Sequence, residues 1–214
     1  MKVKEENVPV LRFPGFSGEW SKEVLGKVFR IFNGYAFSST DAKDNGALWV
    51  KIADVGICKM KTDNLSFLPV EYLSKYKKFV LHKGDFVVAL TRPILNGKLK
   101  ISRIDNNFNN SLLNQRVGKL ISDNDLEFIF SMLQKPRLIS YIENSIAGTD
   151  PPNFAPSSIK NIRVYVPQVA EQQKIASFLT AVNSKIEQLS KKKALLEQYK
   201  KGMMQKLFSQ EIRF

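Results

Sequence analysis

The segment from Val169 to Phe208 constrains the fold more than any other part of this sequence. It contains no proline, and its only glycine is Gly202. Apolar residues recur in it at spacings of three, four or seven, which is the a and d pattern of a coiled coil, with Lys193 and Lys200 at two a positions. The recurring residues are Ile175, Leu179, Val182, Ile186, Leu189, Leu196, Met203 and Leu207. We predict one long helix with a single apolar stripe.

The stripe needs a surface to pack against, because a long polar helix gains most of its stability by burying its apolar face. One possibility is that the helix folds back over its own domain. The other, which we favour, is that it pairs with the same helix of a second copy. Like charges at Lys193 and Lys200 would face each other in a parallel in-register pair, so we expect an antiparallel homodimer.

Short β-like segments precede the long helix. Residues 86–90 form a compact apolar run, and residues 98–104 alternate polar and apolar side chains. A helical pattern spans residues 125–142, whose single proline should break the helix. These features predict an α+β domain over residues 1–166, with a curved, mostly antiparallel sheet and flanking helices, followed by the coiled-coil helix in residues 167–214.

Charge is the first indication of a partner. Lysine and arginine number 33 against 20 acidic residues, a formal net charge of +13. Such an excess favours nucleic acid or an anionic membrane surface, although a merely basic protein would also show it. The sequence has no apolar run long enough to span a membrane and no signal-peptide pattern, so we expect a cytoplasmic protein with no membrane partner.

Residues that could carry out catalysis are scarce. His82 is the only histidine and Cys58 the only cysteine, which excludes an internal disulfide and the usual zinc sites. Residues 150–153 (DPPN) are similar to the tetrapeptide that holds the target amine in amino-methyltransferases, but the aromatic residue comes one place late, at Phe154. A phosphate-cradling GxxxxGK[ST] loop is also absent. We therefore predict a protein that is not an enzyme and needs no metal or cofactor of its own.

Two loops, residues 92–98 and 114–116, instead combine cations with amide side chains that can bond base edges, and Lys59 and Lys61 are expected near phosphates. Arginine can bond guanine O6 and N7, asparagine and glutamine can bond adenine N6 and N7, and lysine neutralises phosphates. Each residue also has an ordinary role, such as an ion pair or a turn. The candidate DNA-binding residues are Lys59, Lys61, Arg92, Asn96, Lys98, Asn114, Gln115 and Arg116.

At this point the sequence resembles a known family, the DNA-specificity subunits of type I restriction–modification systems. The similarity rests on blocks that occur in the same order along the whole chain. They are residues 10–20 (VLRFPGFSGEW), 33–37 (NGYAF), 49–55 (WVKIADV), 84–90 (GDFVVAL), 114–118 (NQRVG), 148–149 (GT) and 167–179 (PQVAEQQKIASFL).

The resemblance implies a non-catalytic subunit that recognises double-stranded DNA at a bipartite target. It implies modification subunits, which methylate adenine with S-adenosylmethionine, and a restriction motor–nuclease subunit, so that S-adenosylmethionine and ATP would belong to the partners. The family's usual member has two recognition domains and two paired helices, whereas this sequence has one of each. It is therefore expected to act as half a subunit that homodimerises. A stand-alone or interfering DNA-binding half-subunit and a coiled-coil scaffold that does not bind DNA are the alternatives.

Overall fold

The computed structural model describes residues 7–148 and 151–212, apart from the side chain of Ser158. The chain forms two compact units, Met1–Gln173 and Lys174–Phe214. The boundary between these units lies a few residues after the domain boundary predicted at residues 166 and 167, because the first turn of the long helix belongs to the first unit. Within the described ranges, no helix is both long and apolar enough to cross a bilayer.

The first unit contains short strands and short helices. The strands are β1 (Ser21–Val24), β2 (Arg30–Asn33), β3 (Ala47–Val50), β4 (Phe67–Leu68), β5 (Val80–Leu81), β6 (Phe86–Ala89), β7 (Ile94–Leu95), β8 (Lys98–Leu99), β9 (Ile101–Arg103), β10 (Ser111–Leu113), β11 (Val117–Ile121) and β12 (Arg163–Val166). The α-helices are α1 (Leu25–Val28), α2 (Tyr72–Lys75), α3 (Leu126–Met132), α4 (Pro136–Ile146) and α5 (Val169–Phe208), of which α5 continues through the second unit. The predicted α+β class is confirmed.

The strands divide into separate sheets rather than one curved sheet. One sheet has the order β4-β3-β10-β5 and a second has the order β2-β11-β6-β9, while β1 pairs with β12 and β7 with β8. All of these pairs are antiparallel except β3 with β10. The expectation of mostly antiparallel pairing is therefore confirmed.

A shared core joins the two four-stranded sheets. Val50 and Leu113 come from the first sheet and Val87, Ala89 and Val117 from the second, and all are fully buried. Every residue of β6 is buried, which explains why its sequence is a continuous apolar run rather than an alternating one.

The proline inside the helical pattern breaks it, as predicted. Asp125 caps α3 by accepting a hydrogen bond from the backbone N of Phe128 at 2.8 Å. Pro136 then occupies the first turn of α4, where its missing N–H costs nothing.

The strand registers place the termini of the strands in each sheet at two opposite ends of the unit. One end, which we call the loop end, contains the carboxyl ends of β2, β3, β6 and β10 and the amino ends of β4, β5, β9 and β11. The turn joining β10 to β11 is also there. The opposite end of the unit, which we call the far end, contains the other termini of these strands.

The helix α5 is 40 residues long and, at 1.5 Å per residue, about 60 Å in length. Both of its termini match the sequence prediction. Proline at position 167 precedes it, and the absence of proline within it allows one uninterrupted helix.

Candidate nucleic-acid interface

Cations gather at the loop end because the turns that join the strands there carry them. Lys51 follows β3, Lys77 and Lys78 precede β5, and Arg92 follows β6. Lys98 and Lys100 precede β9, and Arg116 precedes β11. Two acidic residues, Asp54 and Asp63, lie near Arg92 and Lys100. The sequence scatters these cations over more than sixty positions, and the sheet registers bring them together.

A cleft of about 470 Å³ opens at the loop end. Lys61, Arg92 and Lys100 line it, together with Asp54 and Asn64. These three cations exceed the two lining carboxylates, Asp54 and Asp63, so the cleft has a net positive formal charge that favours anions. The predicted residues Lys61 and Arg92 are thus neighbours across the cleft.

Lys100 is fixed in the wall of the cleft. Its Nζ donates a hydrogen bond to the backbone O of Ile52 at 2.6 Å. Burial lowers the pKa of Lys100, the neighbouring charge of Lys61 lowers it further, and Asp54 acts in the opposite direction. Because the Lys100 ammonium group is already held by this hydrogen bond, its side chain would lose little conformational freedom on contact with an anion.

Asp54 supports the cleft from beneath. The side chain is 2% exposed, and its Oδ2 accepts a hydrogen bond from the backbone N of Lys51 at 2.7 Å. Burial raises the pKa of Asp54, and the hydrogen bond with the Lys51 backbone and the charges of Lys51 and Lys100 oppose that rise.

The segment after β6 presents Arg92 at the mouth of the cleft. The backbone N of Arg92 donates to the backbone O of Pro152 at 2.9 Å, and that of Phe154 donates to Leu90 at 2.7 Å. The segment that is similar to a methyltransferase tetrapeptide therefore forms hydrogen bonds to the end of this strand. Asp150 of that segment lies outside the described residues.

Asn96 and Lys98 lie on the hairpin formed by β7 and β8. Asn96 and Gly97 have φ values of 51° and 68°, the pair of positive angles that a tight type I′ turn requires. Both Asn96 and Lys98 are exposed. Lys98 and Lys59 both lie close enough to Cys58 for their charges to oppose the burial that raises the pKa of its thiol. Lys59 follows Cys58, whose backbone N donates to the backbone O of Ile101 in β9 at 2.9 Å.

The turn between β10 and β11 carries the remaining candidates. Gln115 and Arg116 are exposed, and the backbone N of Gln115 donates to the backbone O of Tyr35 at 3.0 Å. Asn114 differs from them, because it is 6% exposed and its Oδ1 accepts a hydrogen bond from the backbone N of Arg116 at 2.9 Å. In the structure Asn114 shapes the turn, and its predicted contact with DNA stays a prediction.

Some loop-end residues were not among those predicted. They are Lys51, Lys77, Lys78, Lys100 and the partly exposed Tyr35. The lysine run at positions 75–78 was a visible signal in the sequence, but its position beside the β10–β11 turn follows only from the pairing of β10 with β5.

Two of the sequence blocks meet at the start of α5. Arg12 donates from Nε and Nη2 to the carboxylate of Glu171 at 2.8 and 2.6 Å, and Trp20 Nε1 contacts the same carboxylate at 3.4 Å. Glu171 is 2% exposed, so this bidentate pair is a nearly buried anchor. Gln172 is also buried, and its side chain bonds Asn124 and the backbone of residues 125 and 167. The motifs at 10–20 and 167–179 thus have a shared structural role.

Beyond its first turn, α5 exposes most of its predicted dimerisation stripe. Ile186, Leu189 and Leu196 are each more than half exposed. Val182 and Leu207 are also exposed, and Ile175, Leu179 and Met203 are partly buried. A stripe of large apolar side chains in water is a surface that typically receives a partner.

No cluster of three or more potential metal ligands occurs in residues 7–148 and 151–212.

Residues 17–198 match the profile of the family described as the type I restriction modification DNA specificity domain. The chain is 34% identical over 198 residues to the type I restriction enzyme MjaVIII specificity subunit of Methanocaldococcus jannaschii, covering 91% of this chain and 47% of that protein. It is 31% identical over 101 residues to the EcoAI specificity subunit of Escherichia coli, covering 47% of this chain and 17% of that protein.

Solved structures show the same fold. The S subunit of a type I restriction–modification system from M. genitalium aligns with a TM-score of 0.56 at 19% identity, over 89% of this chain and 46% of that one. The HsdS subunit from Thermoanaerobacter tengcongensis aligns with a TM-score of 0.52 at 16% identity, over 93% and 46%. The chain spans about half the length of these proteins. On the family match and the identity to the MjaVIII subunit together, the chain belongs to the type I restriction–modification DNA specificity family.

Proposed function

We propose that this chain recognises double-stranded DNA through the loop end and supplies that specificity to a type I restriction–modification system. The observation that carries the proposal is the convergence of exposed cations and an amide–guanidinium turn on one end of the first unit. Lysines and arginines around the cleft neutralise phosphates, and Gln115 and Arg116 supply donors and acceptors for base edges.

The salt dependence of DNA binding tests the phosphate contacts. For duplex DNA, log K falls with log salt with a slope of about −0.9 for each neutralised phosphate. The full chain should bind random-sequence duplex with a steep negative slope, and Lys61→Gln together with Arg92→Gln should reduce its magnitude by about 1.8. A matched control is Arg30→Gln with Lys83→Gln, which removes the same charges from the far end. Equal slopes for both variants and the parent would contradict the proposal.

We also propose that the chain acts as a homodimer through α5. Its apolar stripe is exposed, and a two-fold dimer would supply the second recognition domain and second helix of a longer specificity subunit. Lys193 and Lys200 at the a positions favour antiparallel over parallel pairing.

Light scattering tests the dimer. Ile186→Asp should shift the full chain from dimer to monomer, because it puts a charge in the seam. Ser184→Asp, which places the same charge on the opposite face of α5, should leave the dimer intact. A parent chain that is monomeric at tens of micromolar would overturn this part of the proposal.

Catalysis belongs, in this proposal, to partner subunits. Methyltransferase subunits would bring S-adenosylmethionine, and the restriction motor–nuclease subunit would bring ATP. Because a two-fold dimer has two identical recognition domains, the bipartite target should be palindromic. Co-expression with the cognate methyltransferase, followed by methylation-sensitive sequencing, should yield such a motif, and a continuous or non-palindromic motif would contradict the symmetric arrangement.

A further inference from the structure

A second group of cations lies on the other side of the Gln115–Arg116 turn from the cleft. We call Lys75, Lys77 and Lys78 the aromatic-flank cluster, because two of them lie against aromatic rings. The group lining or adjoining the cleft, Lys61, Arg92, Lys98 and Lys100, is the cleft cluster. Lys77 and Lys78 precede β5 at the loop end, and Lys75 ends α2 just before them.

Aromatic rings position two of the three lysines in the aromatic-flank cluster. Lys75 Nζ lies 5.4 Å from the centre of the Tyr76 ring, and Lys78 Nζ lies 5.4 Å from that of Phe32. Cation–π contacts of this kind limit where a flexible ammonium group can lie. The three lysines are exposed, so the contacts position the charges without removing them from water.

The same rings connect this cluster to the turn. The rings of Tyr76 and Tyr35 lie 4.7 Å apart, centre to centre, and the backbone O of Tyr35 accepts the hydrogen bond from Gln115. On the other side of the turn, the backbone N of Leu90 bonds the backbone O of Arg116 at 2.9 Å, just before Arg92. The turn therefore lies between the two clusters, and each is linked to it through packed or bonded neighbours.

The strand path between the clusters is comparable in length with the width of the DNA major groove. From Lys78 to Arg92 the path crosses from β5 to β10, over the turn to β11, and on to β6. Strands lie about 4.8 Å apart and the ends of a tight turn less than about 7 Å, so the path between these strand ends is at most about 17 Å. The major groove of B-form DNA is about 12 Å wide, with a phosphate strand on each side.

We propose that the first unit straddles the major groove, with the aromatic-flank cluster binding phosphates of one DNA strand, the cleft cluster binding phosphates of the other, and Gln115 and Arg116 entering the groove between them. This inference rests on the proposed DNA recognition and deepens it. It assigns Lys75, Lys77 and Lys78 to a phosphate-binding site and fixes which turn faces the bases.

Strand-resolved interference tests the arrangement. The probe is a duplex that the full chain enriches from a randomised pool, with single phosphates ethylated on either strand. Lys77→Gln with Lys78→Gln should abolish interference at phosphates of one strand, and Lys61→Gln with Arg92→Gln at phosphates of the opposite strand. Each pair should also reduce the magnitude of the salt slope on random-sequence duplex by about 1.8, with unchanged thermal unfolding as the check on folding.

The possible results separate the two proposals. If only the Lys61 and Arg92 pair alters the salt slope, DNA recognition by the loop end stands and the straddling arrangement fails. If both pairs alter interference on the same strand, the straddling arrangement fails as well. If neither pair changes the slope relative to the far-end control Arg30→Gln with Lys83→Gln, the proposed DNA interface itself fails.

Discussion

The loop end and the far end of the first unit are built from the same strands but differ in how their charges are used. At the far end, two of the carboxylates, Asp85 and Glu127, have partners. Asp85 accepts from Lys119 at 2.7 Å and from the backbone N of His82 at 2.8 Å, and Arg103 pairs with Glu127 at 2.5 Å. At the loop end, the exposed cations outnumber the two carboxylates of the cleft.

This difference separates residues that stabilise the fold from residues that are available to a partner. Paired charges and capped turns satisfy local electrostatics, which lowers the free energy of the folded chain. Like charges gathered in one region repel each other and cost stability, so their convergence is expected where an anionic partner compensates for it. In the function proposed above, the far end stabilises the fold and the loop end binds DNA.

The largest expected effect comes from removing three loop-end charges at once. Lys61→Gln, Arg92→Gln and Lys98→Gln together should lower the magnitude of the salt slope for duplex binding by about 2.7, because each lost phosphate contact contributes about 0.9. Fluorescence anisotropy across a salt series measures this. Lys27→Gln, Arg30→Gln and Lys83→Gln at the far end are the matched control, and a similar loss there would erase the distinction between the two ends.

A smaller and more selective effect is expected from the turn. Arg116→Ala should weaken binding to an enriched cognate duplex by about 1–3 kcal/mol, because a bidentate contact to guanine is lost. Binding to random-sequence duplex should change far less. If both duplexes lose affinity equally, Arg116 contacts phosphate rather than a base.

The far end should respond in stability instead. Asp85→Ala removes the partner of Lys119 and of the His82 backbone, and should lower the free energy of unfolding by about 1–2 kcal/mol. Asp123→Ala, at an exposed far-end position, is the control and should change it little. Urea denaturation measures both, and the salt slope of DNA binding should match that of the parent in each case. A steeper slope for Asp85→Ala, in which Lys119 is free to neutralise a phosphate, would place DNA contacts at the far end.

The smallest effect concerns the buried carboxylate beneath the cleft. Burial raises the pKa of Asp54 in the folded chain above its ordinary value of 3.8. Its protonated form therefore contributes stability that is fully present below pH 3.8 and is lost as pH rises through the folded pKa. Asp54→Asn keeps an acceptor for the Lys51 backbone without the charge. The free energy of unfolding of this variant, relative to that of the parent, should therefore rise as pH increases from 3.8 through the folded pKa of Asp54.

Thermal unfolding across acidic to neutral pH tests this, with Asp63→Asn in the same cleft as the control. A pH-independent difference between Asp54→Asn and the parent would show that the Asp54 charge is not penalised in the folded chain.

Local sequence patterns predicted the parts of the fold that depend on local interactions. The helix α5 follows from the absence of proline and the heptad spacing, and the break between α3 and α4 follows from Pro136. Both are decided within a few residues along the chain. The two-sheet arrangement was not predicted, because it depends on pairing between distant strands such as β3 and β10.

The candidate interface divides in the same way. The hairpin with Asn96 and Lys98 could be identified because its turn residues are visible in the sequence. The positions of Lys77 and Lys100 could not, since only the strand registers bring them to the loop end. Asn114 was selected for its amide side chain, and nothing local indicated that its oxygen would bond the backbone of the turn.

The most direct test of the central claim is lysine acetylation of the full chain, with and without an enriched cognate duplex, read by mass spectrometry. The account predicts that DNA protects Lys61, Lys77 and Lys98 at the loop end, while Lys27 and Lys83 at the far end react as they do without DNA. Protection of the far-end lysines, or equal reactivity at the loop end with and without DNA, would contradict it.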